Sequence, residues 1–212
     1  MKTTQILFLG ISIVLFHSRG NAQIFAAGQV NNSYIYSAMT ENTAERLFTG
    51  ISAEIGAEGM SSAIILKSGL YIPKKYEFLS VVEDPYGYYY ETEIDQRIMI
   101  YELGLYGLYY ILGQQGNLVR FYTNSGIEMV WAIAHDEYQV YDELISEKFT
   151  NRQLRIGVGL GVEVELGENL YLINDFLFKY PFTDMDSGGI MYIDAASDFT
   201  FNYNVGVKIY LN

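Results

Sequence analysis

The chain has no cysteine, which excludes disulfides, thiolate chemistry and a lipid-modified N-terminal cysteine. Past the first 22 residues it has no apolar run long enough for a membrane helix, which needs about 20 residues. Basic residues are scarce, with 13 Lys and Arg against 25 Asp and Glu. So acidic a chain, without a basic patch, repels nucleic acid, and no nucleic-acid partner is expected. Histidine is nearly absent, and no G-x-S-x-G elbow of a serine hydrolase is present.

What is present begins with Lys2, an apolar run from Ile6 to Phe16, and small residues at Gly20 and Ala22. This pattern predicts a secretory signal peptide over 1–22. The run is too short to be a retained anchor. Lys2 and Arg19 leave with it, so the mature chain is more acidic still than the formal −12 of the whole. The remaining 23–212 fits a single domain.

The mature chain is built from alternation. In Arg155–Leu166, Ile156, Val158, Leu160, Val162, Val164 and Leu166 share one face. Gly157, Gly159, Gly161, Glu163 and Glu165 share the other. The last segment opposes Phe201, Tyr203, Val205, Val207 and Ile209 to Asn202, Asn204, Gly206 and Lys208. Similar faces recur around Ile51, Leu66, Leu103, Ile127 and Leu172, giving about eight strands, with Phe25–Tyr36 the least regular. Such strands suit a soluble sandwich or a transmembrane barrel whose apolar face meets lipid.

The connections separate the two. Gly56–Ser61, Gly113–Asn117 and Gly167–Asn169 are short turns. Ser37–Arg46, Pro73–Gln96, His135–Gln153 and Pro181–Asp198 are long, and long alternates with short. With a periplasmic N-terminus, all long connections fall outside the cell, as in outer-membrane barrels. The expected fold is all-β, an eight-stranded antiparallel up-and-down transmembrane β-barrel in the cell outer membrane, with lipid as its first partner. The leader, the layout and the terminal Phe-Asn-Tyr-Asn-Val-Gly-Val-Lys-Ile-Tyr-Leu resemble the PorT-like outer-membrane β-barrel family of Bacteroidetes-type bacteria. That resemblance implies a location and a fold, and for the family's namesake a role in an envelope or secretion machine.

Glu54, Lys67, Glu102, Arg120, Glu128, Glu163, Glu165, Asp175, Lys179 and Lys208 are expected to face the lumen. Eight strands enclose little more than side chains. These charges are therefore read as a paired polar plug, in preference to an ion or solute path or a ligand-binding lumen. The inner glycines would make room for the long charged side chains. On this reading Val162→Arg, on the lipid face, is damaging and Gly161→Ser, on the lumen face, is mild.

The chain has 20 tyrosines, and tyrosine suits membrane interfaces. Tyr86, Tyr88, Tyr89 and Tyr90 form either a recognition surface in an outer loop or part of the aromatic girdle, which Tyr141, Tyr180 and Phe182 would extend; the girdle is preferred. His135 beside Asp136 raises a hydrolase reading, but neighbours on a strand point apart, and no enzymatic activity is expected. Asp184–Gly189 resembles half a calcium loop, with Ala195 where the closing Glu would stand, and is read as an acidic turn. No cofactor is expected. The function expected is structural or surface-interacting, with a protein or surface ligand met by the outer loops.

Overall fold

The computed structural model describes residues 22–35, 47–83, 86–113, 117–141, 143–185 and 199–211. Residues 1–21 of the expected signal peptide, the whole Ser37–Arg46 connection, and most of the calcium-like segment lie outside these. The elements are β1 (Gln23–Ile35), β2 (Leu47–Glu58), β3 (Ser62–Tyr71), β4 (Lys74–Glu83), β5 (Tyr89–Leu112), β6 (Val119–Val140), β7 (Glu143–Gly167), β8 (Leu170–Met185) and β9 (Thr200–Leu211).

Each strand pairs antiparallel with its sequence neighbour, except at β3 and β4. β1 pairs with β9, and β3 pairs directly with β5. These pairings make a ring of eight: β1, β2, β3, β5, β6, β7, β8 and β9. Full closure removes every edge within the ring. β4 is the ninth strand and stands outside it. It continues the line of β3 along β5, from Lys74↔Ile98 to Glu83↔Tyr89. Pro73, which has no N–H to donate, separates β3 from β4.

Alternation sets the inside and the outside as expected. Ile51, Leu160 and Phe176 are each 60% or more exposed, and Ile24, Val30, Ile55, Leu66, Leu103, Val158 and Val207 are exposed with them. A continuous apolar exterior around a closed barrel is the surface that meets lipid. The opposite face of the eight ring strands is buried over most of the barrel.

Two long connections are corrected. Pro73–Gln96 and His135–Gln153 are mostly strand. β5, β6 and β7 run for 24, 22 and 25 residues, against the roughly 9–11 that span a bilayer. Beyond the membrane the outer face turns to water, so its residues become polar, as at Arg97, Asp95 and Glu93. Loss of the apolar face is not loss of the strand. β6 and β7 pair up to Val140↔Glu143, where Tyr141 takes φ 55° in a tight hairpin turn. β4 to β7 therefore project past the barrel as a four-stranded sheet. β8 also continues through Pro181, which sits at an irregularity opposite Arg155, where a missing N–H is tolerated.

Candidate functional site

The interior is layered. Nearest the short turns, Arg120 of β6 reaches Glu58 of β2 at 2.5 Å and also pairs with Glu163 of β7. Lys208 of β9 meets the same two carboxylates at 2.5 and 3.0 Å. Two cations thus share two anions from different strands, and the square is neutral. Tyr110 donates to Glu58 at 2.7 Å, and Arg120 donates to the Tyr210 hydroxyl at 2.9 Å. The guanidinium also lies 4.7 Å from the ring centres of both Tyr110 and Tyr171, a cation–π arrangement.

The middle layer joins Lys67 to Glu54 at 3.0 Å and to Gln29 Oε1 at 2.6 Å. Gln29 in turn donates to Asp175, which also accepts from Tyr122. Above it, Lys179 bridges Glu102 at 2.9 Å and Glu128 at 2.8 Å. Tyr71 donates to Glu102 and Tyr106 to Glu128. Charged hydrogen bonds across so many strands hold a closely packed interior only because nearly every charge has its opposite.

Nine of the ten expected lumen residues are buried in this network. Glu165 is not. It is half-buried opposite Tyr171, beside the irregularity before Gly167, its backbone N–H donating to the Leu118 carbonyl, and it makes none of the ion pairs among the described residues. Near a strand end the barrel no longer encloses what its inner face carries. Glu58 and Arg155 were missed. Glu58 lay inside a segment read as turn, yet β2 runs through it. Arg155 shares the inner parity of Gly157 and is fully buried, donating from Nε to Gln153 at 2.7 Å.

The inner glycines have a different purpose from the one expected. Gly104, Gly126, Gly157 and Gly161 receive tyrosine rings, while Gly159 lies against Asn124 and Gly206 against Gln29. A Cβ on Gly104 or Gly126 would come within 2.6 Å of the Tyr106 ring, and one on Gly157 within 3.0 Å. A Cβ on Gly161 would collide with the Tyr122 ring and lie 2.5 Å from Asp175 Oδ1. The buried hydroxyls then find carboxylates. Inward tyrosines, and not only interface tyrosines, account for the tyrosine content.

Toward the long hairpins the lumen becomes apolar. Ile35, Phe48, Tyr76, Ile98, Ile100, Val130, Ala132 and Ala134 pack together above the charges, with Phe78 and Phe149 against them. Tyr76 and Phe78 come from β4, so the extra strand helps to cap the barrel. Within the lumen a void of about 20 Å³ remains, lined by Glu54, Lys67, Tyr122 and Asp175 among others, room for about one water.

His135 lies on the outer face of the projecting sheet, its Nε2 3.3 Å from Ser146 Oγ. Asp136 points inward, as strand alternation requires, and accepts from Gln96 at 2.8 Å. Burial pushes its carboxyl above the ordinary aspartate value. The two neighbours thus face opposite sides of the sheet, and Asp136 does not orient the imidazole.

Tyr86, Tyr88 and Tyr89 are 82%, 69% and 69% exposed at the tip of the β4–β5 hairpin. Tyr89 lies about 40 Å along the strand from Tyr101, at roughly 3.4 Å per residue. The outward Glu91, Glu93, Asp95 and Arg97 intervene. This height does not fit a girdle in contact with the headgroups. Tyr141, 72% exposed at the β6–β7 tip, departs from the girdle for the same reason. Tyr180 and Phe182 do continue the outward aromatic column of Phe176 and Phe178 on β8.

The fold has known counterparts. The chain is similar to Neisserial surface protein A, at 11% identity and TM-score 0.53, covering 91% of this chain and 100% of that one. It is similar to a major outer membrane protein of Thermus thermophilus, at 15% identity and TM-score 0.59, covering 91% and 100%. It is also similar to Ail, the attachment invasion locus protein of Yersinia pestis, solved with the heparin analogue sucrose octasulfate, at 11% identity and TM-score 0.54, again covering 91% and 100%. No family model and no curated protein matches the sequence. The shared fold and the apolar exterior are those of a bacterial outer-membrane β-barrel.

Proposed function

We propose that the protein is a closed barrel that holds a rigid sheet outside the cell for contact with a partner. The observation that carries this is the extension of β4–β7 far past the apolar band, ending in exposed tyrosines. Tyrosine offers a large contact area at low entropic cost, and a rigid scaffold is where binding residues work best. The partner's chemistry follows from charge. Glu77, Glu91, Glu93, Asp95 and Glu137 are exposed on this sheet. They repel a polysulfated ligand of the kind found with Ail, and favour a neutral or cationic protein or glycan surface. A part in an envelope or secretion machine, implied by the PorT-like resemblance, would use the same surface.

Replacing Tyr86, Tyr88 and Tyr89 together by serine is expected to leave insertion intact. Binding of protein-bearing vesicles to an array of proteins and uncharged glycans should fall about tenfold or more, as for loss of an aromatic hot spot. Unchanged binding would remove the tip from the function. In planar bilayers the purified protein should show little steady conductance, because the ion-paired layers and the apolar cap fill the lumen. Large, reproducible open channels would make it a pore.

A further inference from the structure

One row across the projecting sheet is basic on every strand. Register places Lys75 of β4 opposite Arg97 of β5, Arg97 opposite His135 of β6, and His135 opposite Lys148 of β7. All four are exposed, while Tyr76, Gln96 and Asp136 between them point to the other face. Lys75 and Arg97, like charges placed directly opposite with Cβ atoms about 5 Å apart, repel. Among the described residues neither lysine nor the arginine makes an ion pair. Acids were available to relieve the repulsion but lie one step further out, as their own row of Glu77, Asp95 and Glu137.

The height of the row is specific. On β5 the outward residues below Arg97 are Met99, Tyr101 and Leu103. On β6 those below His135 are Ile133, Trp131 and Met129. Below Lys75 the outward residue is Ile72. Each is thus the first ionisable outward residue beyond the apolar run of its strand. On β7 that place is taken by Arg152, opposite Trp131, below Lys148. Because strands tilt by roughly 35–45°, the first charge falls at different register positions around the barrel. A depression of about 140 Å³, lined by Lys75, Arg97, His135, Asp95 and Glu137 among others, lies on the row.

We propose that Lys75, Arg97, His135 and Lys148, with Arg152 beneath, hold the phosphate groups of an outer-leaflet lipid headgroup. Arg97 and Arg152 supply the forked donors that suit phosphate, and the lysines supply point charge. The side chains project sideways from the sheet into the headgroup layer, next to the lipid-facing residues. A soluble polyanion arriving from outside would first meet Glu93 and the acidic row, which repel it. The acids thereby set the upper limit of the site, and the apolar band sets the lower.

The test uses the full mature protein in phosphatidylcholine nanodiscs with a small fraction of bis-phosphorylated lipid A, retained lipid being counted by native mass spectrometry. The parent should retain lipid A and lose the preference when the lipid A is dephosphorylated. Lys75→Gln, Arg97→Gln, Lys148→Gln and Arg152→Gln together should weaken retention about tenfold or more, and Arg97→Gln alone, a milder change, by about threefold. Glu77→Gln with Asp95→Asn should strengthen it. Equal retention by the parent and an inserted Arg97→Gln or quadruple variant overturns the proposal. So does binding to heparin in detergent that depends on these residues when lipid A retention does not, which would make the row a site for a soluble polyanion.

Discussion

Arg120→Met should destabilise the barrel by about 3–5 kcal/mol, the usual cost of leaving a buried partner charge uncompensated. Arg120 is fully buried, and its loss leaves Glu58 and Glu163 sharing Lys208 alone. Urea unfolding in lipid vesicles measures the effect. Adding Glu163→Gln should recover part of the loss, because Lys208 and Glu58 then form a neutral pair. A single variant within about 1 kcal/mol of the parent, or a double variant worse than the single, would mean that water screens this layer. The lumen would then be wet at that depth, contrary to the packing described above.

Gly161→Ser should be nearly as damaging as Val162→Arg, though the two residues face opposite ways. Arginine at Val162 places a charge against lipid, at about 2–4 kcal/mol if near the midplane. Serine at Gly161 adds only a hydroxymethyl group, but its Cβ falls where the Tyr122 ring and Asp175 already are. Overpacking of this kind costs about 1–3 kcal/mol, and displacement of Tyr122 also breaks its bond to Asp175. Gly161→Ser combined with Tyr122→Leu should be more stable than Gly161→Ser alone. A harmless Gly161→Ser would show that the ring shifts freely, and would restore the mild effect expected from the alternation pattern.

Much of the fold was legible because a strand has only two faces. Once Val158 and Gly157 are assigned, parity assigns the barrel portion of β7, and the same holds for β9, where all inner and outer residues fall as expected. Arg155, Tyr106 and Tyr210, all buried, sit on the inner parity of their strands as well. It failed at strand ends. Glu58 was lost to a turn, Glu165 was counted in a lumen that no longer encloses it, and the projecting halves of β5 to β7 were read as loops. In each case the apolar face had faded for a reason of environment, while the backbone continued unchanged.

Alternation and turn spacing thus determined the all-β class, the eight-stranded ring and the lipid-facing side. These depend on local periodicity and on one solvent boundary. Which charge meets which could not be read there. Arg120 joins Glu58 and Glu163, 62 and 43 residues away, only because closure and shear bring β2, β6 and β7 around one axis. The same is true of the tyrosines nested over glycines of neighbouring strands, and of the basic row from Lys75 to Lys148. Register across strands is a tertiary property: a two-residue slip keeps every side chain on its face and changes every partner.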